Sequence, residues 1–217
     1  RMSQAIMGRL RRIGERLQYA LYTMVHPGDG FYEIRHRGKG SVPLAFAFVI
    51  LFSISFSINK RYANFIVNSY NTLETNSLLD LVAILAFFVL FCVSNWSITC
   101  LMEGEGRMRD IVTSVGYSTL PLLFALIPMT LFSYAIAADE EAFYYVVLGA
   151  AILWFVLLVL VGIMTIHNFT LGKTLITLFL TFVAMIIIIF ICVLLVTILQ
   201  QLFLFFKSIY MELIFSV

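Results

Sequence analysis

Residues 174–206 read TLITLFLTFVAMIIIIFICVLLVTILQQLFLFF, thirty-three positions without a charged side chain. A helix needs about 20 apolar residues to cross the roughly 30 Å hydrocarbon core of a bilayer. Hydrocarbon offers no partner for an open backbone, so a helix that bonds to itself is the expected form. Toward the N-terminus lie four more charge-free runs, at 142–166, 111–138, 81–101 and 42–58. None shows the ten-residue alternation of a membrane barrel strand. The expected fold is all-α, a polytopic membrane protein of five transmembrane helices with a short amphipathic N-terminal helix.

The 174–206 run is too long for one untilted span, and Gln200 and Gln201 mark where the helix should reach the interface after a span of 174–199. Beyond them the chain stays apolar, broken by Lys207, Ser208, Glu212 and Ser216. This tail reads as an interfacial or partner-bound helix, with a partial sixth insertion as the alternative. Three parts follow: a basic arm and juxtamembrane segment at 1–40, a five-helix membrane domain at 41–201, and an apolar interfacial tail at 202–217. No internal repeat or low-complexity tract interrupts them. The first residue is Arg1, so the chain is expected to be a trimmed or partial form. Its basic opening lacks the apolar core of a signal peptide.

Composition supports the membrane assignment. Of 217 residues, 62% are hydrophobic and only 12% charged, about half the charged share of a soluble domain. That excludes a soluble enzyme, a disordered tail and a secreted disulfide scaffold. Cys92 and Cys100 are eight residues apart on one expected helix, about 12 Å along its axis, too far for a disulfide. With Cys192 they read as small buried apolar residues.

The net charge of +2 conceals a strong asymmetry, because eight of the fourteen Lys and Arg residues lie within the first 39 positions. Five spans with a cytoplasmic N-terminus put Arg107, Arg109 and Lys173 on the same side and leave Lys60, Arg61 and Lys207 opposite. Basic residues in short loops favour the cytoplasm. The expected orientation is therefore N-terminus in and C-terminus out.

In the arm, Met2, Ile6, Leu10, Ile13, Leu17, Leu21 and Met24 recur at three- and four-residue intervals and form one apolar stripe on a helix, with Arg9, Arg12 and Arg16 beside it. Such a helix can lie on anionic lipid, fill the groove of a partner, or pack beside its own bundle. It should stop near His26-Pro27-Gly28-Asp29-Gly30. Phe31 and Tyr32 suit the membrane boundary, and Arg35, His36, Arg37 and Lys39 read as a basic anchor before the first span. Aromatic and basic residues do not interleave on one face, so nucleic-acid binding is not expected.

Chemistry-bearing residues are sparse. No ionisable side chain occupies the centre of a span, and Asp80 and Asp110 stand at span ends where water can reach them. An ion-coupled carrier would want a buried carboxylate or histidine. His26, His36 and His167 are dispersed without metal-ligand spacing, and no nucleophile elbow or phosphate loop is present. No enzymatic activity, cofactor or metal is expected. The sequons at Asn95 and Asn168 fall in a span and in a predicted cytoplasmic loop, where they would go unused.

Two segments stand out. In the loop MEGEGRMRD, residues 102–110, Gly104 and Gly106 permit a tight turn, while Glu103, Glu105, Arg107, Arg109 and Asp110 can pair internally or with a partner. In the third span, Gly116 and Tyr117 precede Pro121 and Pro128, whose bends add on one face. Ser53, Ser55, Ser57, Ser94, Asn95 and Ser97 suit hydrogen bonds between helices.

The run Gly104-Glu105-Gly106-Arg107 leading to Gly116-Tyr117 and Pro121 resembles the Yip domain family of five-helix membrane proteins. Residues 167–173, HNFTLGK, and the Pro27…Phe31 entry are similar too. The resemblance covers about 25–200 and looks most like a prokaryotic member, which implies a bacterial plasma membrane. Eukaryotic members bind Rab-type GTPases. The present arm is short and lacks their Asp-Leu-Tyr-Gly-Pro motif, so that partner is not expected.

The resemblance implies a non-catalytic scaffold or accessory subunit that binds a larger membrane complex. Prokaryotic members are often encoded near transporters of the ATP-binding-cassette type, which makes permeases of a nutrient transporter the candidate partner beside membrane lipids. The residues expected at partner or membrane contacts are Arg9, Arg12, Arg16, Glu103, Glu105, Arg107, Asp110, Gly116, Tyr117, Pro121, Phe203 and Phe206. The alternatives are a self-contained small-solute transporter or channel, and a bilayer-shaping or trafficking protein.

Overall fold

The computed structural model describes the backbone of residues 2–64, 66–67, 76–136 and 140–215, with the side chains of 2–10, 12, 212, 213 and 215 left out. Eight helices account for nearly all of it: α1 (Met2–Val25), α2 (Pro27–Arg37), α3 (Val42–Tyr62), α4 (Ser77–Leu101), α5 (Met108–Ser118), α6 (Leu120–Phe132), α7 (Glu141–His167) and α8 (Leu171–Phe215). There is no strand among the described residues. Five membrane-crossing units result, α3, α4, α5 with α6, α7 and α8. The all-α fold with five spans and a short N-terminal helix is thus the observed one.

The third span is two helices in series because of Pro121, whereas α6 runs on through Pro128. Pro121 enters α6 in its first turn and has no N–H for the Tyr117 carbonyl. The chain turns at Thr119, whose Oγ1 donates to the Gly116 carbonyl at 2.7 Å. Every residue of α5 from Asp110 to Ser118 is buried, which places α5 at the centre with α3, α4, α7 and α2 around it. A Cβ added to Gly116 would lie 2.5 Å from the Ala45 Cβ and 2.8 Å from its Cα. Only glycine lets α3 and α5 approach this closely.

α8 is the longest of the eight helices. It runs without interruption through Gln200 and Gln201, because an i to i−4 ladder closes as readily through glutamine as through leucine. Its forty-five residues span about 67 Å, twice the hydrocarbon core. Its first half packs on α4 and touches α7. From Ile189 to Met211 every residue is exposed.

Polar groups inside the bundle pair only in part. Asn95 donates from Nδ2 to Thr181 Oγ1 at 3.1 Å, linking α4 and α8, and Ser57 donates to Asp80 across α3 and α4. Ser55 and Ser97 instead donate to carbonyls of their own helices, and Ser53 and Ser94 are buried with no partner among the described residues. Asp80, expected in water, is buried and held by Lys60 Nζ at 3.0 Å. Next to that pair, Asn59 donates to both Thr130 Oγ1 and Tyr144 Oη at 2.8 Å and ties α3, α6 and α7 at the end opposite the basic arm.

Candidate functional site

The basic end is where the residues of the sequence reading converge, and it is built around a helical hairpin. α1 stops at Val25 and α2 starts at Pro27, so only His26 separates them. Proline suits the first turn of a helix, where no N–H is needed, and Gly28 and Gly30 fall inside α2 instead of breaking it. Gly30 is required because a Cβ there would meet the Thr23 backbone at 2.8 Å. Tyr19 Oη donates to the Gly30 carbonyl at 2.6 Å and fastens the two helices together. Burial, with Glu33 nearby, pushes the Tyr19 phenol up to about 12, so it remains a donor. α2 closes on Gly38 in the left-handed region at φ 61°.

The hairpin lies against the bundle through a face the apolar pattern does not indicate. Tyr19, Ala20 and Thr23 turn inward, and Ala20 and Thr23 are buried. Of the predicted apolar stripe, Ile13, Leu17 and Leu21 instead face outward at 51%, 40% and 42% exposure, while Met24 packs against the core. In a bilayer the outer surface is the apolar one, so the usual sense of amphipathicity inverts. Phe31 and Ile34 are buried. Phe31 sits over Gly162 of α7, where a Cβ would approach its ring at 3.3 Å and Ser114 Oγ at 2.1 Å.

Charge locks the upper end of α2 to the 102–110 loop. Arg35 places Nη1 3.7 Å from Asp110 Oδ2 and Nη2 3.8 Å from Glu105 Oε2. Asp110 is buried at 4% exposure, contrary to its expected access to water. Its Oδ2 has no hydrogen-bond partner among the described residues, so the charge is compensated by Arg35 on that oxygen and by Arg109 Nε at 3.9 Å from Oδ1.

In the loop itself the left-handed residue is Glu103, at φ 57°, not a glycine. Gly104 and Gly106 serve contact instead, since a Cβ on either would come within 2.6 Å of the His167 ring. His167 is buried with Nδ1 3.1 Å from the Ile163 carbonyl, and its Nε2 has no partner among the described residues. No three His, Cys, Asp or Glu side chains are grouped as metal ligands among the described residues.

A second clasp joins α2 to the first span. Lys39 pairs with Glu33, and Arg37 Nη1 donates to the same carboxylate at 3.2 Å. The Lys39 ammonium, aided by Arg37, holds the Glu33 carboxyl below its ordinary 4.5. A carboxylate depressed on folding contributes stability that is complete above its unfolded value and is lost as pH falls through the folded one. Amide exchange around Gly38 and Gly40 should therefore accelerate only below about pH 4.5, and E33Q should erase that acid-dependent step.

The expected contact residues divide accordingly. Arg16 reaches into the hairpin base, donating from Nη1 to Ser41 Oγ at 3.2 Å, while the side chains of Arg9 and Arg12 lie outside the described residues. Glu103, Glu105 and Arg107 are exposed on the loop. Gly116, Tyr117 and Pro121, expected at a partner or membrane contact, are buried within the bundle. They pack helices, and Tyr117 Oη accepts from the Ser41 N–H at 3.2 Å. Phe203 and Phe206 are 69% and 60% exposed on α8, away from the other residues of the set.

Sequence reasoning missed Arg35 as the partner of Asp110, and it missed the seat of Phe31 on Gly162. A glycine in an otherwise large-residue span was the available signal for the second.

The chain matches the Yip1 domain family over residues 21–194. The matched region begins within α1 and includes α2, so the hairpin's inner part belongs to the shared domain. No curated protein matches the chain, and no solved structure does.

Proposed function

Because the chain belongs to the Yip1 domain family, we propose that it is a non-catalytic membrane scaffold or accessory subunit that binds a larger membrane complex, with permeases of an ATP-binding-cassette nutrient transporter as the candidate partner. The observation that carries this reading is the outer part of α8. From Ile189 to Met211 it is exposed on every side, and its surface holds Phe203, Leu204, Phe205 and Phe206 at 60% exposure or more. A helix that is apolar all round wants neighbours. Of its length only about 30 Å can be covered by hydrocarbon, so the remainder calls for protein or an interface. The charge asymmetry supports a cytoplasmic N-terminus and an outer C-terminus, and the resemblance to prokaryotic members points to a bacterial plasma membrane.

Extraction in a mild detergent followed by mass spectrometry of the intact particle tests the proposal. A stoichiometric membrane companion is the expected result, and the companion should be lost when the chain is truncated after Gln201. A bare monomer or homo-oligomer would overturn the accessory role and favour a self-contained transporter, to be tested by solute flux in liposomes. A complex unchanged by the truncation would remove the tail from the interface.

A further inference from the structure

The hairpin descends well below the level at which the spans leave the bundle at the basic end. Arg35 is level with Asp110, Gly40 and Ile34 with Thr113, and Phe31 with Gly162. At the tip, Trp154 Nε1 donates to the Met24 carbonyl at 3.1 Å. Trp154 is the middle residue of α7, thirteen positions and about 20 Å from its end at His167. The outward stripe of Leu17, Leu21 and Val25 beside this tip is 40–61% exposed and suits acyl chains.

The same hairpin has a second edge of opposite character. His26, Gly28, Asp29, Tyr32 and His36 are exposed, and Asp29 has no ion pair or hydrogen bond among the described residues. Asp29, Tyr32, Glu33 and His36 follow at three- and four-residue spacing and run from the tip up to the basic end. Tyr22 stacks on His26 at 4.7 Å, and Tyr32 on His36 at 4.1 Å. A carboxylate facing acyl chains at this depth is expensive and is relieved by water or headgroups drawn toward it.

We propose that α1 and α2 form a re-entrant hairpin whose polar edge draws phospholipid headgroups of the basic-side leaflet, with their water, down to His26 and Asp29. Three observations favour lipid as the occupant. The edge runs from the tip to the basic end, where the positive-inside pattern puts the headgroup layer, so lipid would reach the tip without crossing hydrocarbon. Its free Asp29 carboxylate and its imidazoles match the ammonium and phosphate of a zwitterionic headgroup. The apolar stripe beside it fits the chains of the same molecule.

The chain has two tryptophans, Trp96 and Trp154, so W96F leaves a single reporter beside the tip. The full chain with W96F is reconstituted in phosphatidylcholine and phosphatidylethanolamine vesicles carrying a nitroxide either on the headgroup or deep in the acyl chain. Both labels should quench Trp154. Headgroup quenching should be lost in H26L/D29L, while deep-chain quenching persists and reports that the protein remains inserted. D29L alone, which removes no bond among the described residues, should give the same direction of change. The proposal is overturned if the headgroup label fails to quench Trp154 while the deep label succeeds, or if quenching is indifferent to both variants. Quenching by aqueous iodide without headgroup quenching would also overturn it, since the notch would then hold water alone.

Discussion

Gly116→Leu should cost about 3 kcal/mol or more of bundle stability, at the upper end of what overpacking does in a tight core. The first added atom already lies 2.5 Å from the Ala45 Cβ and 2.8 Å from its Cα. Backbone cannot rotate away as a side-chain tip can, so α3 and α5 must separate. Separation would also pull Ser41 from Tyr117 Oη and open the base of the hairpin. Unfolding in mixed micelles of rising denaturing-detergent content measures the effect. Gly149→Leu is the matched control, because a Cβ there meets nothing within 4 Å. Equal stability of the two variants would refute the close contact.

The second large effect is expected at Arg35. R35M leaves the buried Asp110 with Arg109 alone, at 3.9 Å from its other oxygen, so the loss should approach but not reach the about 3–5 kcal/mol of a buried charge left wholly unpaired. D110N in the same chain should restore most of the loss, because a neutral amide no longer needs the guanidinium. The double-mutant cycle isolates the coupling from the packing of the Arg35 stem. A coupling near zero would mean that Asp110 is compensated elsewhere. Glu105 should matter far less, since its side chain is 62% exposed and screened by solvent.

Comparison of sequence with structure separates two kinds of information. The spans were legible because hydrocarbon imposes a length and an absence of charge that no tertiary contact can override. Which face of α1 turns inward was not legible. Apolar periodicity names the core side only in water, and against lipid the small and polar face of Tyr19, Ala20 and Thr23 does the packing while Leu17 and Leu21 turn outward. Asp110 was misread for a related reason. A carboxylate at a span end has water nearby in one dimension, yet Arg35 arrives from a helix seventy-five positions earlier and covers it. Such pairing between distant segments leaves no local trace. α8 also continues through the glutamines at 200 and 201, since a polar pair by itself does not end a helix.

The setting of α5 has a consequence for how the protein is made. Its span is the least hydropathic of the five, and it carries Asp110, Thr113, Ser114 and Ser118 in positions that only other helices cover. Released alone from a translocation channel, it would partition poorly into lipid. Chain order resolves the difficulty, because α2, α3 and α4 are synthesised before it and already provide Arg35 and the Ala45 face. Early emergence of these helices is then a precondition for integrating the next one, and α7 seals the remaining side as it follows.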